Sequence, residues 1–227
     1  MSTLPPILRS FKATWSLFAA APLHFLILQI PEVSVEAIYA LFPGIREASM
    51  PLVLAILFPY LAIVSFLSTA LTFVSTESGK SGRPITLRGT ILVVMERLGT
   101  LLPVALLTGT ILLLGMVALV LPFLYFMTLY LFVPFIVMTE ARLKWSVYLH
   151  KSKVVAKRHF WSCLFLVVLM LVVSFGTDAA SNELVNRVPA AGLVGIKLLA
   201  SLFTSAILGI WNGLFFLEIR EPRNENT

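Results

Sequence analysis

Apolar residues run in long blocks along this chain, and polar residues gather in short clusters between them, so the pattern is read as spans and connections. Residues 11–30 form the first block, and at about 1.5 Å per residue a helix of that length matches the hydrocarbon thickness of a bilayer. Pro22 and His24 fall inside it. The segment 31–49 holds Glu32, Glu36, Arg46 and Glu47 around Pro43-Gly44 and reads as a connection outside the hydrocarbon. A second span is expected over 50–75, long enough to tilt or to kink at Pro59.

Ser78-Gly79-Lys80-Ser81-Gly82-Arg83-Pro84 is a turn-rich basic loop. Behind it Leu87, Ile91, Val94, Met95 and Leu98 recur every three or four residues, with Arg88, Glu96 and Arg97 off that stripe. This pattern predicts a surface helix before the chain turns inward. From Leu98 to Thr139 no charged residue occurs. A helix of that length would be over twice the bilayer thickness, so two spans, 98–119 and 122–138, are expected around a hairpin near Leu121-Pro122. Residues 140–159 form the most charged stretch, with a narrow apolar line of Leu143, Val147 and Val154. A fifth span follows over 160–176 and a sixth over 190–217, separated by a link carrying Asp178, Glu183 and Arg187. The expected fold is all-α: one domain, a polytopic integral membrane bundle of six transmembrane helices with short basic surface helices.

Composition agrees. Of 227 residues 59% are hydrophobic and 12% charged, and the mean hydropathy is +0.96, far from the balance of a soluble domain. The net charge of +6 fits loops held at an anionic membrane face better than nucleic acid. Fourteen Lys and Arg fall on one side of the six-span arrangement, against Arg46 and Arg187 on the other and Lys197 inside the sixth span. The positive-inside rule therefore puts both termini in the cytoplasm, and the expected location is a bacterial inner membrane.

Candidate chemistry is sparse. Arg88, Arg97, Lys151, Lys153, Lys157 and Arg158 are expected to meet anionic phospholipid headgroups. In the second span Ser65, Ser68, Thr69, Thr72, Ser75 and Thr76 put hydroxyls along one side, either as a packed face or as a water-filled groove. In the sixth, Lys197, Ser201, Ser205, Gly209 and Gly213 follow one another every four residues. The last four make a small-residue ridge for a neighbouring helix of this chain or of another protomer, with Asn212 as an interhelical hydrogen-bonder. Lys197 either snorkels to the headgroups or faces a cavity and a lipid phosphate or partner carboxylate. His24, His150 and His159 have no metal-binding or catalytic spacing, Cys163 is a lone thiol in an apolar run, and no HExxH, Walker loop, GxSxG or CxxC occurs. No metal or cofactor is expected.

Ser152, Lys157 and the pair Phe160-Trp161, a serine followed by a basic residue and Phe-Trp entering a helix, resemble the YciC-like family of bacterial inner-membrane proteins. They also resemble the related membrane domain attached to some glycerophosphodiester phosphodiesterases. The resemblance implies a six-helix bundle over about 11–217 and no settled activity or catalytic residues, and the short segments outside the spans hold no phosphodiesterase domain. The expected function is a non-enzymatic lipid-associated scaffold or an accessory subunit of a membrane complex, with other membrane subunits or a homo-oligomer as partners. The alternative is a small transporter or lipid flippase whose path is lined by the second-span hydroxyls and Lys197.

Overall fold

The computed structural model describes residues 6–31, 50–118, 120–140, 143–185 and 190–220. Among them every regular element is a helix: α1 Pro6–Ala20, α2 Pro22–Leu28, α3 Met50–Lys80, α4 Leu87–Ala118, α5 Val120–Tyr130, α6 Val133–Thr139, α7 Trp145–Arg158, α8 Phe160–Val185 and α9 Ala190–Arg220. Five of the helical stretches are long and apolar enough to cross a membrane, with α5 and α6 together making one of them. The count becomes six if α1 and α2, bent by 101° to each other, form one broken span. The protein is an all-α polytopic membrane bundle. Residues 32–49 of the expected connection, with Arg46, and Arg142, Arg187 and Arg223, lie outside the described residues.

Local chemistry explains most helix ends. Gly82, at φ 67, closes α3. The Arg83 N–H donates to the Ser78 carbonyl at 2.9 Å and the Gly82 N–H to the Gly79 carbonyl at 3.2 Å, the paired bonds of a Schellman cap. Thr86 caps the start of α4 by accepting the Gly89 N–H at 3.3 Å. Pro22 opens α2 and Pro134 stands in the first turn of α6, where a missing N–H costs no helical bond.

Three expectations change. The first block is not one helix over 11–30: it breaks at Ala21, because Pro22 carries no N–H and its ring excludes the preceding turn. The stretch 87–98 is not a separate surface helix, since α4 is continuous for 32 residues. Its buried line, through Thr90, Val94, Leu101, Val104 and Thr108, passes position 98 unbroken, while Leu87, Ile91 and Met95 are exposed. In α7 the buried face is Tyr148, Leu149, Ser152 and Ala156, and Val154 is exposed. The reason is that α7 packs beneath α5 and α6 through polar anchors rather than through its apolar line.

The main core lies between α3, α6 and α9, where Phe73 stacks on Phe135 at 4.8 Å and Phe216 meets Phe73, Phe132 and Phe135 at 5.8, 5.3 and 5.3 Å. A second core joins Phe18 and Phe25 to Ala206, Ile207, Ile210 and Leu214 of α9.

Helix α4 ends at Ala118 and α5 begins at Val120, and Gly115 lets the two helices approach closely. A Cβ there would stand 2.9 Å from Phe126 Cδ2 and 3.3 Å from Phe123 Cα. Gly115→Leu is expected to lower stability by about 1–3 kcal/mol through overpacking, read as a lower thermal midpoint in detergent. An unchanged midpoint would mean that the hairpin does not depend on this approach.

Candidate functional site

A break within a span exposes backbone groups that lipid cannot satisfy. In this chain α2, which follows the break, and Gln29 at its end face the hydroxyl side of α3. Leu28, the last residue of α2, offers its carbonyl to Ser68 Oγ at 3.0 Å. The Gln29 side-chain amide donates to Thr72 Oγ1 at 2.6 Å, and Thr76 Oγ1 donates to the Thr72 carbonyl at 2.7 Å. His24 Nε2 is 2.8 Å from Ser75 Oγ, which in turn is 2.9 Å from Thr90 Oγ1 of α4. Ser68, Thr72, Ser75 and Thr76 are all fully buried. The outer members of the stripe differ: Thr69 is half-buried, and Ser65 is exposed on a flank groove of about 220 Å³ between α3, α4 and α5.

The small-residue ridge of α9 meets this seam from the other side. A Cβ on Gly209 would come within 3.1 Å of Thr72 Cγ2, and one on Gly213 within 3.5 Å of both Phe73 Cδ2 and Thr76 Cγ2. Gly209 and Gly213 therefore pack within the chain, against α3. Ser201 and Ser205, further along the same helix, are half-buried. Asn212 is buried and its Oδ1 has no partner among the described residues, as is true of Thr108 Oγ1 in α4. Lys197 is half-buried two turns into α9. The seam holds hydroxyls, an imidazole and an amide. Its one nucleophile–base pair among the described residues is Ser75 with His24, and the serine is fully buried.

A second polar knot ties the basic end of the bundle. The Glu140 backbone carbonyl, at the end of α6, accepts from Arg97 Nη1 at 3.0 Å and from the Tyr148 hydroxyl at 3.3 Å. The same hydroxyl accepts the Leu143 N–H at 3.1 Å, and the Glu140 carboxylate pairs with Lys151. Ser152 Oγ donates at 2.8 Å to the Leu129 carbonyl, one residue from the end of α5. Of the six cations expected at headgroups, Arg97 and Lys151 thus make bonds within the chain, Lys153 is half-buried, and Arg88, Lys157 and Arg158 are exposed. Arg9 and Glu218 pair at 2.8 Å across α1 and α9.

Sequence reasoning passed over Gln29, Thr90 and Tyr148. Gln29 carried a signal, being a lone amide seven residues after a mid-span proline. Thr90 carried none, because it stands alone among the stripe residues Leu87, Ile91 and Val94. Among the described residues no group of His, Cys, Asp and Glu could hold a metal ion, and Cys163 is buried. No family model, curated protein or solved structure matches the chain.

Two predictions follow from the geometry. Thr72→Val leaves the buried Gln29 amide without its acceptor and is expected to cost about 1–2 kcal/mol. The double variant with Gln29→Leu should lose less than the two single variants together, by about 0.6–1.7 kcal/mol. Strictly additive losses in a detergent unfolding series would show that the bond contributes nothing. At the α7–α8 junction, burial first and then Arg158 hold His159 below its ordinary pKa. The folded chain therefore resists protonation more than the unfolded one, and stability should be full above about pH 6.5 and fall as the pH drops through the window below it. His159→Gln should flatten that acid slope; an unchanged slope would assign it to other groups.

Proposed function

We propose that this integral membrane protein is a non-enzymatic, lipid-associated scaffold or accessory subunit of a membrane complex. What supports the reading is that the polar residues a path would need are engaged inside the bundle. Ser68, Thr72, Ser75 and Thr76 bond to α2, to α4 or within α3, and Gly209 and Gly213 close over them. Two open spaces among the described residues, of about 220 and 470 Å³, are apolar grooves on the flanks.

On this reading Arg88, Lys157 and Arg158 remain available to anionic headgroups, each contributing about 1 kcal/mol near such a surface. Arg97, Lys151 and Lys153 hold the basic end in shape or meet headgroups with part of their surface. The membrane is a bacterial inner membrane and both termini face the cytoplasm, which rests on the crowding of Lys and Arg at one set of loops. Kinship with the YciC-like family belongs to the same proposal and rests on Ser152, Lys157, Phe160 and Trp161. In that motif Ser152 binds the Leu129 carbonyl, Lys157 is exposed and Trp161 is exposed at the start of α8.

Gentle purification from native membranes followed by mass spectrometry is expected to recover anionic phospholipid and a reproducible set of membrane proteins or a second copy of the chain. In cells, Lys157→Cys should react with a maleimide only once the inner membrane is permeabilised. Lipid-free recovery of a lone chain, or solute or lipid flux in proteoliposomes, would overturn the scaffold reading. Labelling of intact spheroplasts at position 157 would reverse the orientation.

A further inference from the structure

Helices α1 and α8 both pack on α9 and leave between them a groove of about 470 Å³. Its walls include Leu8 and Trp15 of α1, Phe165 and Leu169 of α8, and Phe203 and Trp211 of α9. The walls are held in place. Trp211 Nε1 donates to the Ile7 carbonyl and to Ser10 Oγ, both at 3.1 Å, Phe11 packs edge-on against Trp211 at 4.8 Å, and Phe18 does the same to Phe203 at 5.3 Å. The volume lies in the range of small-molecule sites, yet such sites normally converge a few polar groups on their ligand. Here the one side-chain hydroxyl in the lining is Thr204, already 3.5 Å from Thr177.

The α8 and α9 walls lie within the apolar stretches Phe160–Thr177 and Lys197–Arg220, at hydrocarbon depth. A groove of this lining and depth selects hydrocarbon. Basic residues stand close to these walls in sequence: Lys12 is exposed on α1 beside Phe11 and one turn from Leu8, and exposed Lys157 and Arg158 end α7, one residue before α8 and its wall residue Phe165. The nearby carboxylate of Glu218 is paired with Arg9.

We propose that this groove seats one acyl chain of an anionic phospholipid, with Lys12, Lys157 and Arg158 meeting its headgroup. The proposal rests on the lipid-associated reading above and gives it a place on the molecule. The bound lipid fills the gap between α1 and α8, so that the short, bent first segment is held to the bundle by its own contacts with α9 and by the lipid.

The test uses the full chain in nanodiscs containing phosphatidylglycerol with a diazirine in its acyl chain, photolysed and mapped by peptide mass spectrometry. Adducts are expected on the groove faces of α1, α8 and α9. They should fall severalfold when Thr204→Trp fills the groove, and each of Lys12→Gln and Lys157→Gln should weaken capture about fivefold. The two lysine variants, at exposed positions, keep the test sound if the tryptophan variant does not fold. With diazirine phosphatidylcholine, capture should be lower and indifferent to those lysines. Adducts as dense on the exposed α4–α5 tip around Val117 and Leu121 as in the groove, or capture unchanged by all three variants, would overturn the proposal. Equal capture of the two lipids would overturn its headgroup half. Retention of lipid outside the groove sinks the groove alone, whereas retention of none sinks the lipid-associated reading with it.

Discussion

Inside a bilayer an unpaired backbone or side-chain polar group has no water to turn to, and this one constraint organises the protein. Pro22 breaks the first apolar segment and turns it through 101°. At the break the Ala21 N–H donates to the Phe18 carbonyl and the Phe25 N–H to the Ala21 carbonyl, and beyond it α3 presents Ser68, Thr72 and Ser75 to the Leu28 carbonyl, the Gln29 amide and the His24 imidazole. The two features are interdependent. Without the hydroxyls the bent segment would carry orphaned groups into lipid, and without the bend those hydroxyls would fall back on carbonyls of their own helix.

Close packing then follows from small residues. Between helices surrounded by lipid no hydrophobic drive favours association, so contact area and hydrogen bonds must supply it. Gly209 and Gly213 bring α9 onto α3 over the seam, and the same approach lets Phe73, Phe135 and Phe216 meet as one aromatic cluster. Gly115 plays the matching part at the α4–α5 hairpin. The basic end uses a different device: the carbonyl left free where α6 stops at Glu140 gathers Arg97 and Tyr148, and Ser152 takes up the Leu129 carbonyl beside the next break. Some cations of this protein are therefore structural, and others, Arg88, Lys157 and Arg158, are exposed. The groove between α1, α8 and α9 would give Lys157 and Arg158 of the exposed group, together with Lys12, a single lipid to meet.

Much of this was legible before any coordinates. The apolar runs around α3, α4, α8 and α9 are too long and too free of charge for any solvent but lipid, so their existence as spans follows from length alone. The hydroxyl stripe and the glycine ridge were also visible, because in lipid a small or polar face is what marks the interior. The apolar line Leu87, Ile91 and Met95 misled for the same reason, since those residues are exposed and Thr90 is the one turned inward. Hydrophobic periodicity separates inside from outside only when the outside is water.

Composition and pattern by themselves determined that this chain is a helical membrane protein, where its charges cluster and which faces of α3 and α9 are meant for contact. Tertiary structure alone decided that those faces meet each other within one chain, that Gln29 and Thr90 complete the seam, and that Arg97 and Lys151 turn to Glu140. The physical reason is that a hydrogen bond across 43 residues, as between Gln29 and Thr72 or between Arg97 and Glu140, leaves no trace in local spacing. Such pairs exist only once packing has brought two helices to the same depth and taken away every other partner.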